Sequence, residues 1–287
     1  MEKLGILVIR GSGGTGFARL KKFINKLNHL LSRKGIHTNQ IVYEYIDWYE
    51  PLQTQQELLL ERMNANPEFK LKSKSIRKLL LANIADLINY GGKPNLPDQA
   101  YEKTHMLVYN SILNLESQLE ENAPLIILAS SMGTEIMNNY IWDRQHSGKS
   151  DQFSLTSFQR FETLVGLFTF GNNIPIFSSS STIDDLTPIV FPMPKALPKW
   201  RDMAVWENYF DKNDPLGYPI KFINEDYALA NVRDIQIGVG NILSFWNLLS
   251  HFGYWTSRKL QKRISEFIVE VFEEIKKSEK FSIDTYS

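Results

Sequence analysis

An unbroken apolar run, Leu4 to Ile9, stops at Gly11. It is followed by Phe17, Leu20, Phe23, Ile24, Leu27, Leu30 and Leu31 at three- and four-residue steps. The first pattern is that of a strand buried on both faces, and the second is that of an amphipathic helix with Gly35 as its stop. Gln40 to Trp48 is then rich in Ile, Val, Tyr and Trp and reads as a second strand. A strand, a helix and a strand at this spacing fit one arrangement well: a right-handed crossover within a parallel sheet. That unit constrains everything downstream, because a parallel sheet needs helices on both faces.

The alternation continues. Pro124 to Ala129, Thr163 to Phe170, Met203 to Phe210 and Val232 to Val239 read as four more strands. A helix is expected from Gly133 to about His146. A final amphipathic helix is expected from Arg258, with Leu260, Ile264, Phe267, Ile268, Val271, Phe272 and Ile275 on one face. Between residues 53 and 120 no strand is apparent. Leu58 to Leu60, Ile76 to Ile88 and Met106 to Leu119 have helical period, which suggests a helical insertion covering one face. Residues 174–200 hold five prolines and a serine run, Ser178 to Ser181, and read as an irregular excursion. The expected architecture is one α/β domain over residues 1–287: a doubly wound, mostly parallel sheet of about six strands with flanking helices.

Composition removes several functional classes. Lys plus Arg and Asp plus Glu number 32 each, so no net charge draws the chain to nucleic acid or to an anionic membrane. The absence of cysteine excludes disulfides, thiolate catalysis and cysteine-ligated zinc. No His-x-x-x-His or carboxylate cluster has metal-ligand spacing, and neither metal nor cofactor is expected. No stretch of 18 apolar residues exists to span a bilayer. The N-terminal apolar run is too short for a signal peptide, so a cytoplasmic location is expected.

Reactive groups of doubly wound sheets gather past the carboxyl ends of the strands. Past the third strand lies Ala129-Ser130-Ser131-Met132-Gly133. A serine on a tight strand-to-helix turn crowds its own backbone, so small residues are needed two places before and after it. Ser131 has Ala129 and Gly133 there, whereas Ser130 would have the bulkier Leu128 and Met132. Ser131 is therefore the candidate nucleophile; a plain serine N-cap is the simpler alternative. Past the fifth strand lies Asp211-Lys212-Asn213-Asp214-Pro215-Leu216-Gly217, and after the sixth Ser250-His251-Phe252-Gly253-Tyr254-Trp255. A serine hydroxyl needs a histidine to take its proton, and that histidine needs a carboxylate on its other nitrogen. His251 is preferred over His29, His37, His105 and His146, none of which follows a strand at its carboxyl end. Asp214 is preferred over Asp211 because Pro215 and Gly217 give it a rigid turn. Tyr254 and Trp255 read as core aromatics, with a hydrophobic acyl pocket beside His251 as the functional alternative.

The order Ser131, Asp214, His251, together with the turn around Ser131, resembles the α/β-hydrolase superfamily over most of the chain. The resemblance implies a serine hydrolase acting on a small-molecule ester, thioester or amide through an acyl-enzyme. Ser131 would be nucleophile, His251 general base and Asp214 its orienting acid. It also implies an oxyanion hole from the N–H groups of Met132 and Ser12, and a lid between the fourth and fifth strands at residues 174–200, which with the helices of 53–120 would shape the substrate entrance. The chain departs from the family's common His-Gly by Arg10-Gly11, and from its Gly-x-Ser-x-Gly by Ala129. It also opens at the first strand of the parallel set, a reduced N-terminus.

Two other readings compete. Gly11-Ser12-Gly13-Gly14-Thr15-Gly16 fits G-x-G-x-x-G between a strand and a helix, the context of an NAD(P)-binding oxidoreductase. The acidic residues that would hold the ribose, Glu44 and Asp47, come late after it, and no tyrosine has lysine four places on. The third reading is a non-catalytic binding protein on a hydrolase-like frame.

Overall fold

The computed structural model describes residues 3–11, 16–48, 58, 61–63, 65, 99–146, 155–177, 182–239 and 248–286. Six strands form one sheet: β1 (Leu4–Ile9), β2 (Ile41–Ile46), β3 (Leu125–Ser130), β4 (Leu164–Phe170), β5 (Val205–Phe210) and β6 (Val232–Gln236). Every pairing is parallel, in the order β2-β1-β3-β4-β5-β6. The long helices are α1 (Gly16–Ser32), α2 (Gln99–Glu116), α3 (Met132–His146) and α4 (Arg258–Tyr286). The fold is thus the α/β class expected, with all strands parallel. The sequence boundaries for β1 coincide with the observed strand, and those for β3 and β4 fall within a residue of it.

The core explains why β1 is apolar throughout. Leu4, Ile6 and Val8 pack with Leu20, Phe23 and Leu27 of α1 and with Ile264, Phe267 and Ile268 of α4. Leu7 and Ile9 face the other way, among Val108, Ile112 and Leu115 of α2 and Ile136 and Met137 of α3. Successive strand residues point to opposite faces, so a strand covered on both sides has no solvated position, and a polar side chain there must find a partner within the protein. Each fully buried Leu, Ile or Val contributes roughly 1.5–3 kcal/mol.

Of the expected helical insertion, α2 and the short helical stretch at 61–63 are described. Ile76 to Ile88 lies outside the described residues, as does Ser178 to Ser181. The described part of the 174–200 segment is the crossover from β4 to β5. Ile189, Phe191, Met193 and Ala196 are buried with Met137 and Trp206. At its far end the Leu197 N–H donates to Glu162 O at 2.9 Å, and the Trp200 indole N–H to Asn122 O at 3.0 Å. Glu162 and Asn122 precede β4 and β3, so the segment has crossed to the amino end of the sheet. A parallel pair requires such a return, and here prolines and short helical turns serve where a long helix usually does. No helix among the described residues is long and apolar enough to cross a membrane.

The chain leaves β1 in one direction to reach β2, then returns past β1 to β3 and continues outward. The carboxyl ends of β1 and β3 therefore diverge, and a crevice opens between them.

Candidate active site

Ser131 sits at that crevice, immediately past β3. Its φ is +52°, a left-handed conformation rare for a residue with a side chain. The turn is held from both sides: the Ser131 N–H donates to Phe170 O at 3.0 Å, and Ser131 O accepts from Thr134 N–H at 2.8 Å and from Thr134 Oγ1 at 2.6 Å. The crowding inferred around the serine is real at Gly133, where an added Cβ would lie 2.9 Å from the backbone oxygen of Ile9. Met132 opens α3, where the first N–H groups have no acceptor within the helix and carry its positive end.

His251 comes from a 3₁₀-helical segment, Leu248–Thr256. Its Nε2 is 2.7 Å from Ser131 Oγ and its Nδ1 is 2.8 Å from Asp214 Oδ2. A carboxylate can only accept, so Nδ1 carries the proton and Nε2 offers its lone pair to the serine hydroxyl. The other oxygen, Asp214 Oδ1, accepts the Leu216 N–H at 3.0 Å. All three side chains are buried. Asp211 serves the loop instead. Its Oδ1 accepts the Asn213 N–H at 2.9 Å and its Oδ2 the Val239 N–H at 2.7 Å, joining the loop after β5 to the chain after β6. The carboxylate beside His251 is thus that of Asp214.

The structure brings Ser131, His251 and Asp214 together, and Met132 follows Ser131 as the first residue of α3. Ser12 lies outside the described residues, as do Gly13 and Gly14. Of the other histidines, His105 pairs with Asp143 at 3.3 Å, and His146 stacks on Trp142. Asp47 faces Arg10, with Oδ1 3.4 Å from Nη2, and Glu44 Oε2 accepts from Asn114 Nδ2 at 2.7 Å. Among the described residues no group of three or more His, Asp or Glu side chains is placed to hold a metal ion.

A small cleft of about 30 Å³ opens onto Ser131 and His251, walled by Arg10, Gly11, Phe170, Phe252, Tyr254 and Trp255. None of the described residues of 174–200 is among its walls. Two side chains take roles here that their sequence readings do not include. Ser130 Oγ accepts the Gly11 N–H at 3.2 Å and the Trp255 indole N–H at 3.1 Å. Tyr254, which reads as a core aromatic, donates its hydroxyl proton to Asp214 Oδ2 at 2.8 Å. Its position three residues after His251 is a signal only once the segment is known to be 3₁₀-helical.

No protein family, curated protein or solved structure matches this chain.

Proposed function

We propose that this protein is a serine hydrolase that cleaves a small-molecule ester, thioester or amide through an acyl-enzyme. The observation that carries the reading is the hydrogen-bonded line from Ser131 Oγ through both nitrogens of His251 to Asp214 Oδ2, at 2.7 and 2.8 Å.

Ser131 Oγ attacks the carbonyl carbon while His251 Nε2 takes the hydroxyl proton. The resulting imidazolium is stabilised by Asp214, and the tetrahedral oxyanion faces the Met132 N–H at the positive end of α3. The carbon–heteroatom bond then breaks, and the leaving group departs with the proton from Nε2. Water repeats the sequence on the acyl-enzyme, releases the acid and restores the serine. The aromatic walls Phe170, Phe252 and Trp255 fit an apolar acyl group. A cytoplasmic enzyme without a metal or organic cofactor belongs to the same proposal.

A fluorophosphonate probe tests it. The protein should be labelled at one serine, and Ser131→Ala should abolish both labelling and turnover of nitrophenyl esters. Turnover retained in Ser131→Ala or His251→Ala overturns the reading.

A further inference from the structure

We propose that Tyr254 is a positioning residue of this site, whose hydroxyl holds the Asp214 carboxylate in the orientation His251 uses and tunes its pull on the imidazole. This rests on the hydrolase reading above and extends it to a fourth side chain.

A 3₁₀ helix has three residues per turn, so side chains at i and i+3 lie one above the other. His251 and Tyr254 stand in that relation within Leu248–Thr256, and both reach the same atom, Asp214 Oδ2, each at 2.8 Å. The direction of the phenol hydrogen bond follows from its other partner. The Asp211 N–H donates to the Tyr254 oxygen at 3.0 Å, so the single phenolic proton is left for the carboxylate. Tyr254 is 1% exposed, and its phenol is pushed well above its ordinary range, first by burial and then by the Asp214 charge. It therefore stays a donor across the pH range in which a histidine titrates.

The backbone makes room for this contact. A Cβ on Gly217 would collide with Asp214 Oδ2 and lie 2.8 Å from the Tyr254 hydroxyl, in the space where the two groups meet. Asp214 thus receives three donors: His251 Nδ1–H, Tyr254 O–H and Leu216 N–H. Each donor to the charged form lowers the carboxylate's own proton affinity. Losing the phenol should leave Asp214 more basic and freer to turn. The more basic carboxylate would stabilise imidazolium further, so the His251 pKa should rise. The freer one would hold the imidazole less well, so kcat should fall.

Tyr254→Phe keeps the ring and removes the hydroxyl. In the full chain, kcat for nitrophenyl acetate should fall by about one order of magnitude, the scale of a hydrogen bond to a charged group. KM should stay within about twofold, because the hydroxyl is aimed at Asp214 and not into the cleft. The acid limb of kcat/KM should move to higher pH. Site-specific 3-fluorotyrosine at position 254, a nearly isosteric and stronger donor, should move that limb to lower pH. It decides the matter if Tyr254→Phe does not fold. NMR titration of His251 and the low-field resonance of its Nδ1 proton report the same shifts in the free protein. An unmoved acid limb and an unmoved His251 titration in a folded variant would overturn the proposal. If wild-type protein neither labels with fluorophosphonate nor hydrolyses esters, the hydrolase reading has failed, and the NMR titration still judges the role of Tyr254.

Discussion

The indole N–H of Trp255 donates to Ser130 Oγ at 3.1 Å, across 125 residues of chain. The bond ties the segment that carries His251 to the end of the strand that leads into Ser131. The same oxygen accepts the Gly11 N–H at 3.2 Å and so also holds the loop after β1. One hydroxyl thereby joins three of the elements around the cleft.

Ser130→Ala removes that junction and leaves two donors, one of them a buried indole, without their acceptor. An unsatisfied buried donor costs about 1–3 kcal/mol. The variant should fold, unfold at a lower denaturant midpoint, and hydrolyse nitrophenyl esters at least about tenfold more slowly as the relative placement of His251 and Ser131 loosens. Denaturant melts and steady-state kinetics on the same preparation check both parts; full activity with full stability would refute the junction.

Asp214 and Asp211 should separate by the type of damage. Asp214→Asn cannot fix His251 in the tautomer that accepts the serine proton, so kcat should fall by about 10⁴ with only a modest change in stability. Asp211→Asn weakens the acceptor of the Asn213 and Val239 N–H groups, and its main effect should be a loss of stability. Equal losses of kcat in the two variants would contradict the assignment.

Glu135 lies one turn beyond Ser131 in α3. Its Oε1 accepts from Asn139 Nδ2 at 3.0 Å, whereas its buried Oε2 has no hydrogen-bond partner among the described residues. Burial pushes its carboxyl up to about 7, from an ordinary value near 4.5, against the lowering effect of Asn139. The folded protein therefore holds this proton over a range where the unfolded chain has released it. Stability is greatest below pH 4.5 for this group and declines as pH rises through 7. The full decline is about 3 kcal/mol at 1.36 kcal/mol per pH unit. Glu135→Gln should flatten this slope and be more stable than wild type at pH 8, as measured by urea unfolding from pH 5 to 8. Parallel curves for the two proteins would rule out the assignment.

Glu207 is buried in β5 with Arg233 and Arg263 against it; Arg263 Nη2 is 3.0 Å from Oε1. Removing one partner of a buried pair leaves charge without compensation. Arg263→Met should cost about 2–4 kcal/mol, less than complete loss of pairing because Arg233 remains. Arg263→Met with Glu207→Gln should recover part of that, and a double-mutant cycle of unfolding free energies measures the coupling.

The chain spells out its sheet because the sheet is covered on both faces. Leu4 to Ile9 and Leu125 to Ala129 could not be other than apolar with α1 and α4 on one side and α2 and α3 on the other. The turn at Ser131 was legible for a local reason, since a backbone passing 2.9 Å from where a Gly133 Cβ would sit excludes larger residues. The 174–200 segment was harder, because prolines mark only the lack of a long helix. That it is the crossover depends on where Leu197 and Trp200 find their acceptors, before β4 and β3.

Hydrophobic period and small residues at a tight turn are local properties, and from them the sequence alone determined an α/β chain and the segments bearing Ser131, the Asp211/Asp214 pair and His251. Tertiary structure decided which carboxylate meets the imidazole, that Ser130 is a junction, and that Tyr254 shares Asp214 with His251. Those outcomes hang on hydrogen bonds spanning 37 to 125 residues and on a 3₁₀ turn in place of an α turn. Such bonds form only once the sheet has fixed where each strand ends.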